Sequence, residues 1–291
     1  MRIIASGLRA TVQDRGRPLG ARLGVPAAGP ADPPAFAAAL ALAGCGPADA
    51  GIEVVGLPFV FSCSDRRIVA ATGRDVRLRT RAANAGWTSV LARPGEEVVV
   101  VGSPRTRFAY VAVSGGIDVP LVQGSRATYL PAAFGPVPRA LAGRDELPLG
   151  HPARGAGVEL AGRVIAPPSY DGPVRAVAGP HDDRFDGTSV ARFFTSAYVV
   201  LAESGRMGVR LDGPAIPPRE GELLTCGIVS GAIQVPSGGA PIVLLADHQT
   251  TGGYPIIATV VTADLGRVAQ ATAGEELRFS RVTMEAASRS L

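Results

Sequence analysis

The 291 residues contain no lysine; all 29 basic side chains are arginine. A chain without an ε-amine forms no Schiff base with a carbonyl substrate or with pyridoxal phosphate. It cannot supply the lysine of a Walker A loop, and it cannot carry biotin or lipoate, which are attached through lysine. Histidine is scarce (His151, His181, His248), and the three do not stand with cysteines or carboxylates at ligand spacing, so no metal site is expected. His181-Asp182-Asp183 comes nearest and reads as loop surface. The cysteines (Cys45, Cys63, Cys226) form no CxxC pair and no even framework. They read as small buried hydrophobes in a reducing, cytoplasmic setting. No apolar run approaches the roughly 18–20 residues of a membrane span; the longest, around Ala35–Ala43, is short and alanine-rich. Met1-Arg2-Ile3-Ile4 enters a strand-like pattern directly, without the apolar core of a signal peptide. The net charge of +4 is interspersed, so neither nucleic acid nor membrane is expected as a partner. No G-x-S-x-G nucleophile elbow occurs.

What is present points to a mainly β protein with a few short helices. Aliphatic runs bounded by Gly and Pro recur at Ile52–Phe61, Ile68–Ala71, Glu97–Val101, Phe108–Val113, Val174–Ala178, Tyr198–Leu201, Ile242–Ala246, Ile256–Val261 and Glu276–Val282. That is the pattern of barrels or sandwiches. One helix is expected with Asp32 as N-cap, Pro33 at its first position and Gly44 as terminator. A second is expected from about Ala263, capped by Thr262 and ended by Gly274, and a third over Ser189–Thr195. Val76–Arg81 alternates arginine with other residues; with no interleaved aromatic, it reads as a solvated strand face. A turn of Gly, acid and aliphatic strand recurs at Gly95-Glu96-Glu97, Gly143-Arg144-Asp145, Gly221-Glu222 and Gly274-Glu275-Glu276. It reads either as ordinary hairpin chemistry or as a duplicated barrel unit. The Pro/Gly-rich stretch from Pro148 through His151, Gly155 and Gly157 to Pro168 is the expected linker, dividing the chain into 1–165 and 166–291.

Two polar segments hold functional groups where simple turns would otherwise serve: Thr11–Arg17 (TVQDRGR), and Asp247–Pro255, directly after the apolar run Ile242–Ala246. An amide, two hydroxyls, two glycines and a phenol at a strand end offer donors and acceptors beside an approachable backbone. A glycine-rich hairpin whose Thr and Gln merely satisfy turn amides fits the second segment equally well.

In order along the chain come TVQDRGR, Gly24-Val25-Pro26, Gly29-Pro30-Ala31-Asp32, Ser114–Pro120 (SGGIDVP), Gly124–Thr128 (GSRAT), Arg206-Met207-Gly208 with Arg210-Leu211, Gly231–Pro236 (GAIQVP) and Gln249–Pro255 (QTTGGYP). Together they resemble the family that holds the C subunit of 5-oxoprolinase, the second subunit of allophanate hydrolase and the carboxyltransferase domain of urea carboxylase. The resemblance spans nearly the whole chain. It implies cyclophilin-like β-barrels, two barrel-like units, and an obligate smaller partner (the B subunit), joined by an A subunit in the 5-oxoprolinase members. It implies ATP-dependent ring opening of 5-oxo-L-proline, with ATP and its magnesium as cofactor, and leaves open whether the nucleotide sits on this chain or its partner. The alternatives are carboxyl transfer to urea, with biotin carried on another chain, and a non-catalytic regulator of the B-subunit homologue.

By the same resemblance, Gln249, Thr250, Thr251 and Tyr254 orient the amide substrate, with Gly252 and Gly253 beside them. Arg206 and Arg210 meet phosphate or carboxylate, Asp14 (as a catalytic residue) and Arg17 organise the opposite wall, and Gln234 and Asp247 stand behind. Arg17 and Arg206 also read as structural ion-pair partners, and Asp32 as a helix cap. The N-terminal motifs depart most from the family pattern. Arg17-Pro18-Leu19-Gly20 replaces R-x-G-aromatic, and Leu42-Ala43-Gly44-Cys45 replaces an asparagine-flanked helix end. Gly135–Arg139 replaces a G-G-x-x-G-R loop, and Thr225-Cys226 stands before GAIQVP. The C-terminal motifs are nearly intact.

Overall fold

A computed structural model describes residues 1–152 and 158–289; Gly155 and Gly157 of the expected linker lie outside the described residues. The chain forms two compact units. One comprises Met1–Arg17 with Ala28–Pro168; the other comprises Pro18–Ala27 with Ser169–Leu291. A division placed by composition alone has no means of seeing that Pro18–Ala27 belongs with the C-terminal part.

The first unit holds two five-stranded sheets. One runs β1 (Arg2–Ser6), β4 (Phe59–Ser62), β9 (Val98–Val101), β6 (Arg77–Arg79), β7 (Asn84–Ala85). The other runs β2 (Arg9–Gln13), β3 (Gly51–Val55), β10 (Ala109–Val113), β5 (Arg67–Thr72), β8 (Ser89–Ala92). The run Ile52–Phe61, expected as one strand, is two, because Gly56 at φ 68° turns the chain between β3 and β4. β5 and β10 are buried at every position, as continuous aliphatic runs should be. They are covered by helix α1 (Pro33–Ala43), whose N-cap Asp32 accepts from the Ala35 amide at 3.1 Å and whose Gly44 adopts φ 72°. Phe36 meets Tyr110 edge-on at 5.8 Å, over Gly51, where a Cβ would stand 2.7 Å from the Val111 carbonyl. Arg77, Arg79 and Arg81 are exposed, as a solvated strand face requires.

In the second unit seven strands close a barrel in the order β11 (Val174–Ala178), β18 (Ile256–Val260), β15 (Ala232–Gln234), β16 (Ile242–Leu244), β13 (Gly208–Asp212), β12 (Ala197–Val200), β19 (Glu276–Arg281). All neighbours are antiparallel except β11 and β19. A two-stranded ribbon, β14 (Cys226–Gly227) with β17 (Thr251–Gly252), stands outside this circuit. Helix α2 (Gly187–Thr195), capped by Asp186, lays Phe193 on Phe279 of β19 at 4.8 Å and beside Tyr198. Aromatic groupings of this kind add about 0.5–1.5 kcal/mol beyond their burial. The expected helix near Ala263 is shorter than its pattern. Thr262–Asp264 forms a 3-10 turn, and α3 covers only Leu265–Gln270 with no side-chain cap, so Thr262 is not its cap. Gly274 lies beyond, in the turn into β19. There Asp264 instead takes the Arg175 backbone amide at 2.8 Å and its guanidinium at 2.7 Å, tying the turn to β11.

The three cysteines are free. Burial pushes the Cys45 and Cys63 thiols up to about 11; Cys226 is half-buried in the ribbon. Among the described residues no helix is long and apolar enough to cross a membrane.

Candidate functional site

Past β13 and β16 the ladder continues: the Leu245 amide donates to the Met207 carbonyl at 3.1 Å and the Asp247 amide to the Arg206 carbonyl at 2.9 Å. This register sets Arg206 against Asp247. Nε and Nη2 of Arg206 reach the two Asp247 oxygens at 2.8 Å each, with side chains only 6% and 4% exposed. Arg206, expected to meet phosphate or carboxylate, therefore directs its fork to an internal carboxylate. Arg210 is exposed on β13, where Val209 and Leu211 alternate into the barrel.

The chain then reverses. The His248 amide donates to the Leu245 carbonyl, and the His248 ring places Nδ1 2.6 Å from the Gln249 carbonyl. A carbonyl cannot donate, so Nδ1 carries the proton there. Thr250 accepts the Ile228 amide, and Thr251-Gly252 pairs with Gly227-Cys226 to form the ribbon. Gln249 Nε2 donates to Oε1 of Gln234, at the end of β15, at 3.1 Å. Gly252 closes over this amide pair: a Cβ there would stand 2.9 Å from Gln234 Nε2, 3.3 Å from Gln249 Nε2 and 2.5 Å from Ile228 Cδ1. Thr251, Gly253 and Tyr254 are exposed, Thr250 is half-buried, and Gln234 is 2% exposed. The structure thus gathers Gln234, Gln249, Thr250, Thr251, Gly252, Gly253 and Tyr254, with the Arg206–Asp247 pair at the base of the loop. The arrangement can present amide and backbone groups to a neutral polar ligand. Sequence reasoning missed Ile228 and the ribbon itself, because two-residue strands leave no periodicity to read. It also missed the His248 bond, for which a histidine within the motif was the available signal.

Asp14 and Arg17 lie in the first unit, at the end of β2. Asp14 is 3% exposed and accepts from the Gly16 amide (2.8 Å), Ser125 Oγ (2.6 Å) and the Arg126 amide (2.6 Å). Gln13 accepts from the Gly29 amide and donates to Thr11 and to the Thr128 carbonyl. Arg17, 1% exposed, donates to the Ala127 carbonyl and lies over the Phe134 ring at 5.1 Å. In SGGIDVP, the Ser114 carbonyl accepts from Arg67 at 2.7 Å. The N-terminal motifs converge, and they hold one another.

Residues 23–281 match the family model of the carboxyltransferase domain, subdomains A and B. The chain belongs to the carboxyltransferase-domain family. Within this family it is 33% identical to the C subunit of 5-oxoprolinase from Escherichia coli, over 99% of this chain and 93% of that protein. It superposes on the solved structure of TTHA0988 with a TM-score of 0.83 and 29% identity, covering 96% of this chain and 55% of that one. On Kluyveromyces lactis urea carboxylase the TM-score is 0.86 with 26% identity, covering 98% of this chain and 28% of that one. The carboxyltransferase-domain chain thus spans about half of the first solved relative and less than a third of the second.

Proposed function

We propose that this chain is part of an ATP-dependent amide-hydrolysing complex, 5-oxoprolinase, which converts 5-oxo-L-proline, ATP and water to glutamate, ADP and phosphate. Similarity to the C subunit of that enzyme over nearly the full length of both chains supports the family of reaction. The observation that carries the substrate class is the Gln249–Gln234 amide pair beneath Gly252. In this reading Gln249, Thr250, Thr251 and Tyr254 orient the lactam, and Gly252 and Gly253 let it approach the backbone.

The described residues of this segment do not fit a nucleoside triphosphate. Arg206 is engaged with Asp247, and Gly252-Gly253 leads into a strand, not the helix N-terminus that gathers phosphate. We therefore assign ATP to the partner chains, the smaller B and the A subunits, in a cytoplasmic complex. The test is coexpression of this chain with its B and A subunits, followed by an assay of ATP-dependent glutamate release from 5-oxo-L-proline. Release is expected from the purified, folded complex and its absence sinks the reading. Gln249→Ala or Thr250→Ala should abolish turnover with the complex intact. The likeness to urea carboxylase favours one second reading, carboxyl transfer to urea, with biotin on another chain. It predicts carboxybiotin-dependent transfer and no glutamate.

A further inference from the structure

Gln234 carries a donor that nothing in the described site uses. The residue is 2% exposed, and Nε2 has no hydrogen-bond partner, although Oε1 accepts from Gln249. A buried amide N–H left unmade is costly enough that such groups are rare, so the surroundings must hold it there. Here they do. Turning the Gln234 amide alone would set its NH2 against the NH2 of Gln249, donor against donor. The irregular register between Ile233 and Gln234 in the β15–β18 pairing fixes the backbone from which the side chain springs. Gly252, without a Cβ, and Ile228 Cδ1 occupy the space where another partner would sit.

Charge narrows the ligand. Arg206, the described cation at the base of the loop, is matched in a bidentate pair by Asp247, both buried. An anion brought beside Gln234 Nε2 would lose its hydration without a counter-charge, which is expensive, whereas a neutral carbonyl oxygen needs one good donor. We infer that Gln234 Nε2 is the donor that recognises a neutral carbonyl oxygen of an amide, lactam or ureido ligand, and so sets the specificity of this site. The ribbon of Cys226–Gly227 with Thr251–Gly252, only two residue pairs long, is the cover that lifts to admit the ligand. The inference rests on the amide-substrate reading above and adds the residue that reads the oxygen.

The full-length chain can be tested by following glutamine side-chain amide resonances in 1H–15N spectra, with the Gln234 signal identified by its loss in Gln234→Met. Acetamide, urea and 5-oxo-L-proline should shift that signal; L-proline and inorganic phosphate should not. In Gln234→Met, which keeps the length of the side chain, amide affinity should fall about tenfold. The variant loses the Gln249–Gln234 bond together with the unused donor, so the two effects offset and its melting temperature should stay close to that of the wild type. A shift with phosphate, or none with any carbonyl probe, overturns the inference. So does unchanged affinity for the carbonyl probes in Gln234→Met, whatever its melting temperature. The two readings fail separately. An idle wild-type complex with the Gln234 shift intact sinks only 5-oxoprolinase, whereas full turnover by Gln234→Met sinks only this assignment.

Discussion

Two arginines of the family motifs show how a side chain's environment decides its chemistry. Arg206 and Asp247, 6% and 4% exposed, satisfy each other at 2.8 Å. Breaking a buried pair from one side leaves an uncompensated charge, so Asp247→Asn or Arg206→Met alone should cost about 3–5 kcal/mol. The double variant Arg206→Met/Asp247→Leu should recover most of that loss. Denaturant melts of the three proteins measure the coupling, and additive losses would show that the pair is not what holds the loop. Arg17 is likewise turned inward, to the Ala127 carbonyl and the Phe134 ring. The sequence carried both alternatives for these residues, anion site or structural partner, since an arginine in a motif looks the same in either role. What separates them is a bond spanning 41 residues for Arg206 and 110 for Arg17, and no local pattern encodes such a span. Asp14 makes the same point: its acceptors are filled by Ser125 and Arg126, from a loop that spacing does not connect to it.

At the scale of elements, the recurring glycine-acid turn has a simple physical origin. In three copies the acid accepts the amide three residues before it: Glu96 from Arg93 at 3.0 Å, Asp145 from Ala142 at 2.8 Å and Glu275 from Thr272 at 3.0 Å. The repeat is therefore turn chemistry in both units. The Arg93 and Arg81 amides hold the Glu96 carboxyl below its ordinary range. A carboxyl depressed in the folded state contributes stability above the unfolded value of about 4.3 and loses it as pH falls through the folded value. Glu96→Gln should thus melt lower than wild type at pH 7, by about 1–2 kcal/mol, with the gap closing below about pH 4. Equal gaps at both pH values would remove the carboxylate from the account. Gly252 is the second element-scale test. Its φ is ordinary, so alanine fits the backbone, and the atoms it would displace are the ends of flexible side chains. Gly252→Ala should leave the melting temperature nearly unchanged and reduce turnover at least tenfold, about 1.4 kcal/mol. Helix α1 was readable to the residue because its cap, proline and terminating glycine are local signals. The ribbon and α3 were not, since tertiary contacts set where such short elements begin and end.

For the whole molecule, periodicity revealed the β class and the ordered motifs from Thr11–Arg17 to Gln249–Pro255 carried the family resemblance, but neither showed how strands are ordered. Strand order comes from pairings such as β15 between β16 and β18, and alternation of apolar residues is blind to which neighbour a strand chooses. Barrel closure has a further consequence. Seven strands cannot alternate direction around a closed circuit, so one neighbouring pair must run parallel, and it is β11 with β19, the first and last strands of the barrel. Tension applied through the chain on either side of the barrel pulls these two strands past each other along their length. It therefore loads the hydrogen bonds of Val174–Ala176 with Phe279–Arg281 together, in shear, where hairpin strands would unzip one bond at a time. The barrel is closed by a mechanical clamp.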